Sequence, residues 1–245
     1  MTVKQKTAMV LAAGFGERLG PLTDTCPKPL LPIRGVPLLH ILLRLLKREG
    51  FGKVVINLHH LGHMIKESVG DGSSFGLEVH YSEEERILGT GGGIKAARHL
   101  LGDDTFLVIN GDVMVDAPLG EIWEHHIEKN AAATLVVKDD PTSPGWGAIK
   151  VDEKGRVRQI LGKPPCKDPL LPKLFVGIHV IEPVIFDFIP PGEKSSSTQD
   201  VYPAMLDSGL PVHYFEYTGP FIDIGTPERY RALQRAGIVI IPDRK

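Results

Sequence analysis

The chain has 245 residues, 42% hydrophobic and 24% charged, which is enough apolar material for the core of one globular domain. A formal net charge of -2 with no block of Lys or Arg excludes a general attraction to nucleic acid, so any anionic ligand must be held by local cations. Cys26 and Cys166 are too few and too far apart for a disulfide framework or a metal-site pattern, no apolar run approaches a membrane span, and the first six residues lack the apolar core of a signal peptide; a reduced cytoplasmic setting is expected.

In chain order, Ala8–Ala12 is a short apolar run that reads as a buried parallel strand. It empties into a loop with Gly14 and Gly16, then Arg18, and then Lys28 between Pro27 and Pro29. Pro37–Glu49 carries leucines at helical spacing with Arg44, Lys47 and Arg48 opposite them, and Gly50 stops it. A strand at Lys53–Asn57, a helix near Gly62–Val69, a turn at Asp71–Ser74 and a short strand at Leu77–Tyr81 follow. A helix from Thr90 to His99, an unbroken apolar strand Phe106–Asn110, a helix Leu119–Lys129 and a strand Ala132–Val137 complete a β-α-β series, which predicts a mostly parallel sheet between two layers of helices. Beyond it, Ala148–Val151, Val157–Leu161 and Leu174–Ile181 are strands joined by turns, an antiparallel insertion over the open end of the sheet. No linker, internal repeat or low-complexity segment divides the chain, so 1–245 is expected to be one domain: a nucleotide-binding part to about 140, a cap over about 141–225, and a C-terminal helix and tail over 226–245.

The first loop is built for phosphate: glycines let the backbone approach a ligand and turn its N–H groups inward, while Arg18 and Lys28 can each pair with phosphate oxygens. It is neither the dinucleotide fingerprint, because Leu19 stands where the third glycine belongs and no acidic ribose partner follows, nor a P-loop, because no G-K-[ST] occurs. The run Leu11–Thr23 with Pro27-Lys28-Pro29-Leu30 resembles the signature of the sugar-1-phosphate nucleotidyltransferases, L-A-[AG]-G-x-G-x-R-[LM]-x-P-[LM]-T followed by P-K-P-[LM]. The resemblance covers about Lys6 to Leu233. It implies a Rossmann-like three-layer α/β/α fold of the GT-A-like kind with an antiparallel sugar-binding insertion, and nucleotide binding by Leu11, Ala12, Ala13, Gly14 and Gly16 beside the catalytic Arg18 and Lys28.

Three further segments fit this resemblance. In Leu88-Gly89-Thr90-Gly91-Gly92-Gly93, Thr90 can cap a helix whose free N–H groups hold a base or phosphate edge, and the family's equivalent L-G-T-[AG]-G makes Gly89, Thr90 and Gly91 base-binding candidates. Asp112 follows a buried strand at the edge where open α/β sheets bind ligands, and Asp223 lies inside the apolar Phe221–Ile224, where an unpaired charge is costly; a bound cation is one remedy. The family's G-D and [WY]-x-D-I-G-T-P motifs imply that Asp112 and Asp223 hold Mg²⁺. Trp146-Gly147 and Lys163-Pro164 approximate the family's [YF]-G and E-K-P, giving Gly147 and Lys163 to the sugar phosphate, with Gly162 replacing the glutamate. Glu83–Glu85 reads as a solvated edge, and His59, His60, His63, His125 and His126 as surface or core-edge residues without metal-ligand spacing.

The expected reaction is transfer of a nucleotidyl group from an NTP, UTP or GTP, to a sugar 1-phosphate, giving an NDP-sugar and pyrophosphate. The motifs look most like those of small bacterial members that make UDP-N-acetylmuramate or GDP-linked mannose or heptose. A monomer or homodimer with no nucleic-acid or membrane partner is expected. The rivals are a catalytically silent nucleotide-sugar-binding regulatory module, which would be expected to lose a loop cation or a metal carboxylate, and an NAD-dependent oxidoreductase, whose glycine spacing is missing.

Overall fold

A computed structural model describes residues 5–235, so 236–245 of the expected C-terminal tail lie outside the described residues. The first strand, β1 (Lys6–Leu11), leads through two 3₁₀ turns and the small ribbon of β2 (Pro32–Ile33) and β3 (Val36–Pro37) into helix α1 (Leu38–Arg48). Then come β4 (Phe51–Leu58), α2 (Gly62–Val69), β5 (Glu78–Glu83), α3 (Gly89–Ala96), α4 (Arg98–Leu101), β6 (Phe106–Asn110), β7 (Val113–Val115), α5 (Leu119–Glu128) and β8 (Ala133–Lys138). The second half runs β9 (Ile149–Val151), β10 (Val157–Ile160), β11 (Leu171–Ile181), α6 (Tyr202–Asp207), β12 (Val212–Glu216), β13 (Phe221–Asp223) and α7 (Pro227–Arg235).

Strands β5, β4, β1 and β6 pair in parallel in that order. Next to β6 lies β11, antiparallel, then β8 and β12, which run parallel to each other. The chain therefore builds outward from β1 to β5 and returns to β6 on the other side of β1, and this reversal opens a crevice at the carboxyl ends of β1 and β6. Alternation along β1 shows the layering: Ala8 and Val10 pack into one core cluster with the leucines of α1, whereas Met9 packs into the other with Ile94 of α3 and Tyr202 of α6. The mixed, mostly parallel sheet with helices on both faces agrees with the expected α/β/α class.

The antiparallel insertion is a branch of the same sheet, because the amino-terminal half of β11 pairs with β9 and β9 with β10. Between the two halves β11 shifts register around Gly177, at φ 77°, and a side chain there would meet Asn110 Nδ2 at 2.6 Å. A glycine thus lets one strand serve two sheet regions while passing close to the end of β6. Among the described residues, no helix is long and apolar enough to cross a membrane.

His126 differs from the sequence expectation, and a second histidine, His179, is buried as well. His126 is buried, bonded to Thr134 Oγ1 at 2.9 Å and to Glu182 Oε1 at 3.1 Å, because α5 turns that side chain onto β8. His179 is buried in the core, hydrogen-bonded to the Tyr202 hydroxyl, and burial pushes its pKa down to about 3.

Candidate active site

Parallel register places Asn57, Leu11 and Asn110 in one row at the carboxyl edge of β4, β1 and β6. The loops leaving this row are joined by backbone and amide bonds: Ala12 N–H donates to Asn57 Oδ1 at 2.7 Å, and Gly111 N–H donates to the Leu11 carbonyl at 2.9 Å. A Cβ on Gly111 would stand 2.7 Å from that carbonyl, so the contact needs glycine. Asn57 Nδ2 in turn donates to Glu84 Oε1 at 2.7 Å, and Leu88 N–H donates to Glu84 Oε2 at 2.9 Å. Glu84 is therefore buried, not part of a solvated edge, and its carboxylate ties β4 to the second glycine-rich segment. Its position within three consecutive glutamates hides it, whereas Asn57 carries a legible signal, a polar residue ending an apolar strand.

That second segment differs from its expected form. Thr90 does not cap the helix: α3 begins after Leu88 with no side-chain cap, and Thr90 lies within its first turn, where its hydroxyl accepts from Ser197 N–H at 2.8 Å. The N–H groups of Gly91 and Gly92 donate to the Ser195 carbonyl at 2.9 and 3.3 Å, so a second loop of the protein occupies the donors foreseen for a ligand. The glycines are needed chiefly for packing, since a Cβ on Gly89 would come within 2.6 Å of the Ser195 carbonyl oxygen and one on Gly92 within 2.6 Å of the Glu193 carbonyl oxygen. Gly93 similarly abuts Glu84 and Asn57, at 2.7 and 2.8 Å from a hypothetical Cβ. The helix ends at Ala96, and Arg98–Leu101 forms a separate short turn.

A cleft of about 500 Å³ opens over this edge, lined by Leu11, Ala12, Ala13, Gly14, Gly16, Arg18 and Lys28 from the first loop, Gly89 and Thr90 from the second, and Asp112 and Gly225 opposite. Gly91 lies buried behind it. The tip of the first loop, Phe15, rests against the His59 and His60 rings at 5.3 and 5.4 Å between centroids, and His60 Nε2 lies 3.0 Å from the Thr23 carbonyl. These histidines support the loop from behind, a role that spacing could not show.

Lys28, Asp112 and Asp223 each have a charged partner within the protein. Lys28 sits on a 3₁₀ turn, is 9% exposed rather than solvated, and places Nζ 2.5 Å from Asp112 Oδ2. Arg18 is exposed at the cleft wall. Antiparallel pairing of β7 with β13 sets Asp223 opposite Val113 and bonds Ile224 N–H to the Asp112 carbonyl at 3.0 Å, which brings the two aspartates to one seam. The charge on Asp223 is met by Arg229, Nη1 to Oδ2 at 2.8 Å, and by the Gly225 N–H. No cluster of three or more His, Cys, Asp or Glu among the described residues could hold a metal by itself. Two carboxylates without His or Cys fit a hard cation such as Mg²⁺, whose other ligands are phosphate oxygens and water.

A second cleft of about 440 Å³ adjoins the seam, lined by Asp223 and Arg229, by Thr142, Ser143 and Thr198, and by apolar residues of the insertion such as Phe175. Gly147 and Lys163 line neither cleft. Lys163 is exposed and exchanges backbone bonds with Ile160, while Gly147 N–H is held by the Lys173 carbonyl at 3.1 Å. Ile160 and Leu161 of the same hairpin line the second cleft, whereas Lys163 lies beyond its lining residues.

Comparison with known proteins agrees with this architecture. The family model described as nucleotidyl transferase matches residues 7–237. UTP–glucose-1-phosphate uridylyltransferase of Synechocystis is 34% identical over 93% of this chain, which spans 62% of that protein's length. N-acetylmuramate alpha-1-phosphate uridylyltransferase of Neisseria meningitidis is 35% identical over 93% of this chain and 96% of its own length. HddC from Yersinia pseudotuberculosis, in a crystal structure complexed with GMP-PN, shares the fold with a TM-score of 0.79 at 24% identity, covering 94% of this chain and 98% of its own. The Rossmann-like GT-A expectation agrees with that likeness, and the chain belongs to the nucleotidyl transferase family.

Proposed function

We propose that the protein transfers a nucleotidyl group from UTP or GTP to a sugar 1-phosphate, releasing pyrophosphate and leaving an NDP-sugar. The observation that carries this reading is the seam: two clefts of substrate size meet at Asp223–Gly225, with Arg18, Lys28 and Asp112 on the first and Asp223 with Arg229 on the second. A nucleotide in the first cleft and a sugar phosphate in the second would bring their phosphates together there. The sugar-phosphate oxygen attacks the α-phosphorus in line, the bond to the β-phosphate oxygen breaks, and pyrophosphate carries away the electron pair. The attacking phosphate is already ionised at neutral pH, so no general base is needed, and catalysis rests on positioning and on neutralised charge.

Arg18, a planar fork at the cleft wall, is suited to the triphosphate oxygens. Lys28 is held by Asp112 at the depth where the α-phosphate would lie, so its charge needs little reorganisation during the reaction. Leu11–Gly14, Gly16, Gly89 and Thr90 would bind the nucleotide through backbone groups and shape, with Gly91 behind them. Asp112 and Asp223 would hold Mg²⁺, which supplies charge neutralisation between the two phosphates when bound. The free thiols of Cys26 and Cys166 are consistent with work in the cytoplasm, by one nucleotidyltransferase domain acting as monomer or homodimer.

A matrix of UTP, GTP, CTP, ATP and dTTP against glucose, mannose and N-acetylmuramate 1-phosphates, read by pyrophosphate release, tests the reading. Release dependent on both substrates is expected with UTP or GTP; tight nucleotide-sugar binding without release would indicate the regulatory module instead.

A further inference from the structure

We infer that Arg229 binds the phosphate of the second substrate. This rests on the transfer reaction proposed above and assigns a residue that the motifs pass over. Among the described residues lining the second cleft, Arg229 is the one Lys or Arg, and it stands at the end where that cleft meets the first. A Cβ added to Gly225, which lines the first cleft, would lie 2.8 Å from Arg18 Nη2 and 2.6 Å from Asp223 Oδ1. Arg18 therefore reaches the seam from the nucleotide side, and Arg229 faces it from the other.

Arg229 is held in place for this role. Thr226 Oγ1 accepts from Arg229 N–H at 3.4 Å as α7 begins, so the helix start fixes the backbone, and Asp223 Oδ2 fixes the guanidinium through Nη1 at 2.8 Å. That single bond leaves donors of the five-donor fork for a dianionic phosphate. The remainder of the second cleft is hydroxyl and apolar, which suits a sugar ring but offers no other full positive charge. Without Arg229, a sugar phosphate would enter beside the Asp223 carboxylate with no counter-charge on its own side.

The test compares wild type, R229Q, R229K and K163M in pyrophosphate release, with the sugar 1-phosphate that the wild type turns over varied at saturating NTP and the NTP varied at saturating sugar phosphate. R229Q is expected to raise KM for the sugar phosphate roughly tenfold to a hundredfold and KM for the NTP less than threefold, with R229K recovering part of the loss. The Mg²⁺ needed for half-maximal rate should stay the same or fall in R229Q, because Asp223 loses a competing cation. R229Q with unchanged KM for the sugar phosphate overturns the assignment, as does a raised Mg²⁺ requirement without a change in that KM, or a loss that appears in K163M instead. A wild type that transfers with no pair overturns the reaction itself, and the role of Arg229 with it.

Discussion

Lys28 and Arg18 look alike in the sequence, as two cations of one loop, and differ in the structure. Lys28 is buried and paired with Asp112, which is one-third exposed, so Lys28→Met removes a cleft charge and leaves a carboxylate without its partner. We expect turnover to fall roughly tenfold to a thousandfold, the effect of losing a charged donor worth about 1.4–4 kcal/mol, together with a stability loss of about 1–2 kcal/mol in urea denaturation. Arg18 is exposed, and Arg18→Lys keeps the charge but not the two-pronged donor; its activity should drop at an unchanged melting temperature. Wild-type turnover in Lys28→Met would remove that residue from the mechanism, whatever its stability.

At the scale of elements, the glycine-rich α3 owes its composition to a neighbouring loop more than to a ligand. Gly92 has ordinary helical geometry, so alanine there would gain about 1 kcal/mol of intrinsic helix propensity. The added Cβ would nevertheless stand 2.6 Å from the Glu193 carbonyl oxygen and 2.8 Å from Leu88 Cβ, and backbone at that distance has to move. Gly92→Ala is therefore expected to destabilise by about 1–3 kcal/mol net, seen as a lower urea midpoint. An unchanged or higher midpoint would mean that the 193–195 segment yields freely and that the glycines answer to a ligand after all. The same contact explains why the helix start is shielded: Ser195 already accepts from two of its N–H groups.

For the whole molecule, buried histidines set a dependence on acid. Burial lowers the pKa of His126 and His213 and brings His179 down to about 3. Below about pH 6.5 the unfolded chain takes up protons that the folded chain refuses, so stability is fully present above that value and declines as the pH falls toward 3. His179 contributes up to roughly 1 kcal/mol per pH unit inside that window, and His126 and His213 act in the same direction. The urea midpoint should be lower at pH 5 than at pH 7.5, and His179→Gln should reduce the difference between the two. Equal midpoints at both pH values would show that these rings are charged, or solvated, in the folded state.

Local composition was sufficient for β1, β4, β6 and α1, because buried parallel strands are unbroken apolar runs and α1 carries its leucines at helical spacing. Arg18, Lys28, Asp112 and the Gly14–Gly16 loop, which the resemblance singles out, line one cleft. Tertiary structure alone decided the partners. Asn57, Glu84 and Leu88 meet because parallel register and a loop crossing bring three segments to one edge, and Arg229 meets Asp223 because a capped helix start follows a short strand. Lys163 shows the same limit: it follows Ile160 and Leu161, which line the second cleft, without lining that cleft itself, and no spacing along the chain records which residues of a hairpin do so. Sequence specifies which groups are available and how each segment repeats, whereas the direction of a side chain and the neutralisation of a charge depend on atoms far away in the chain.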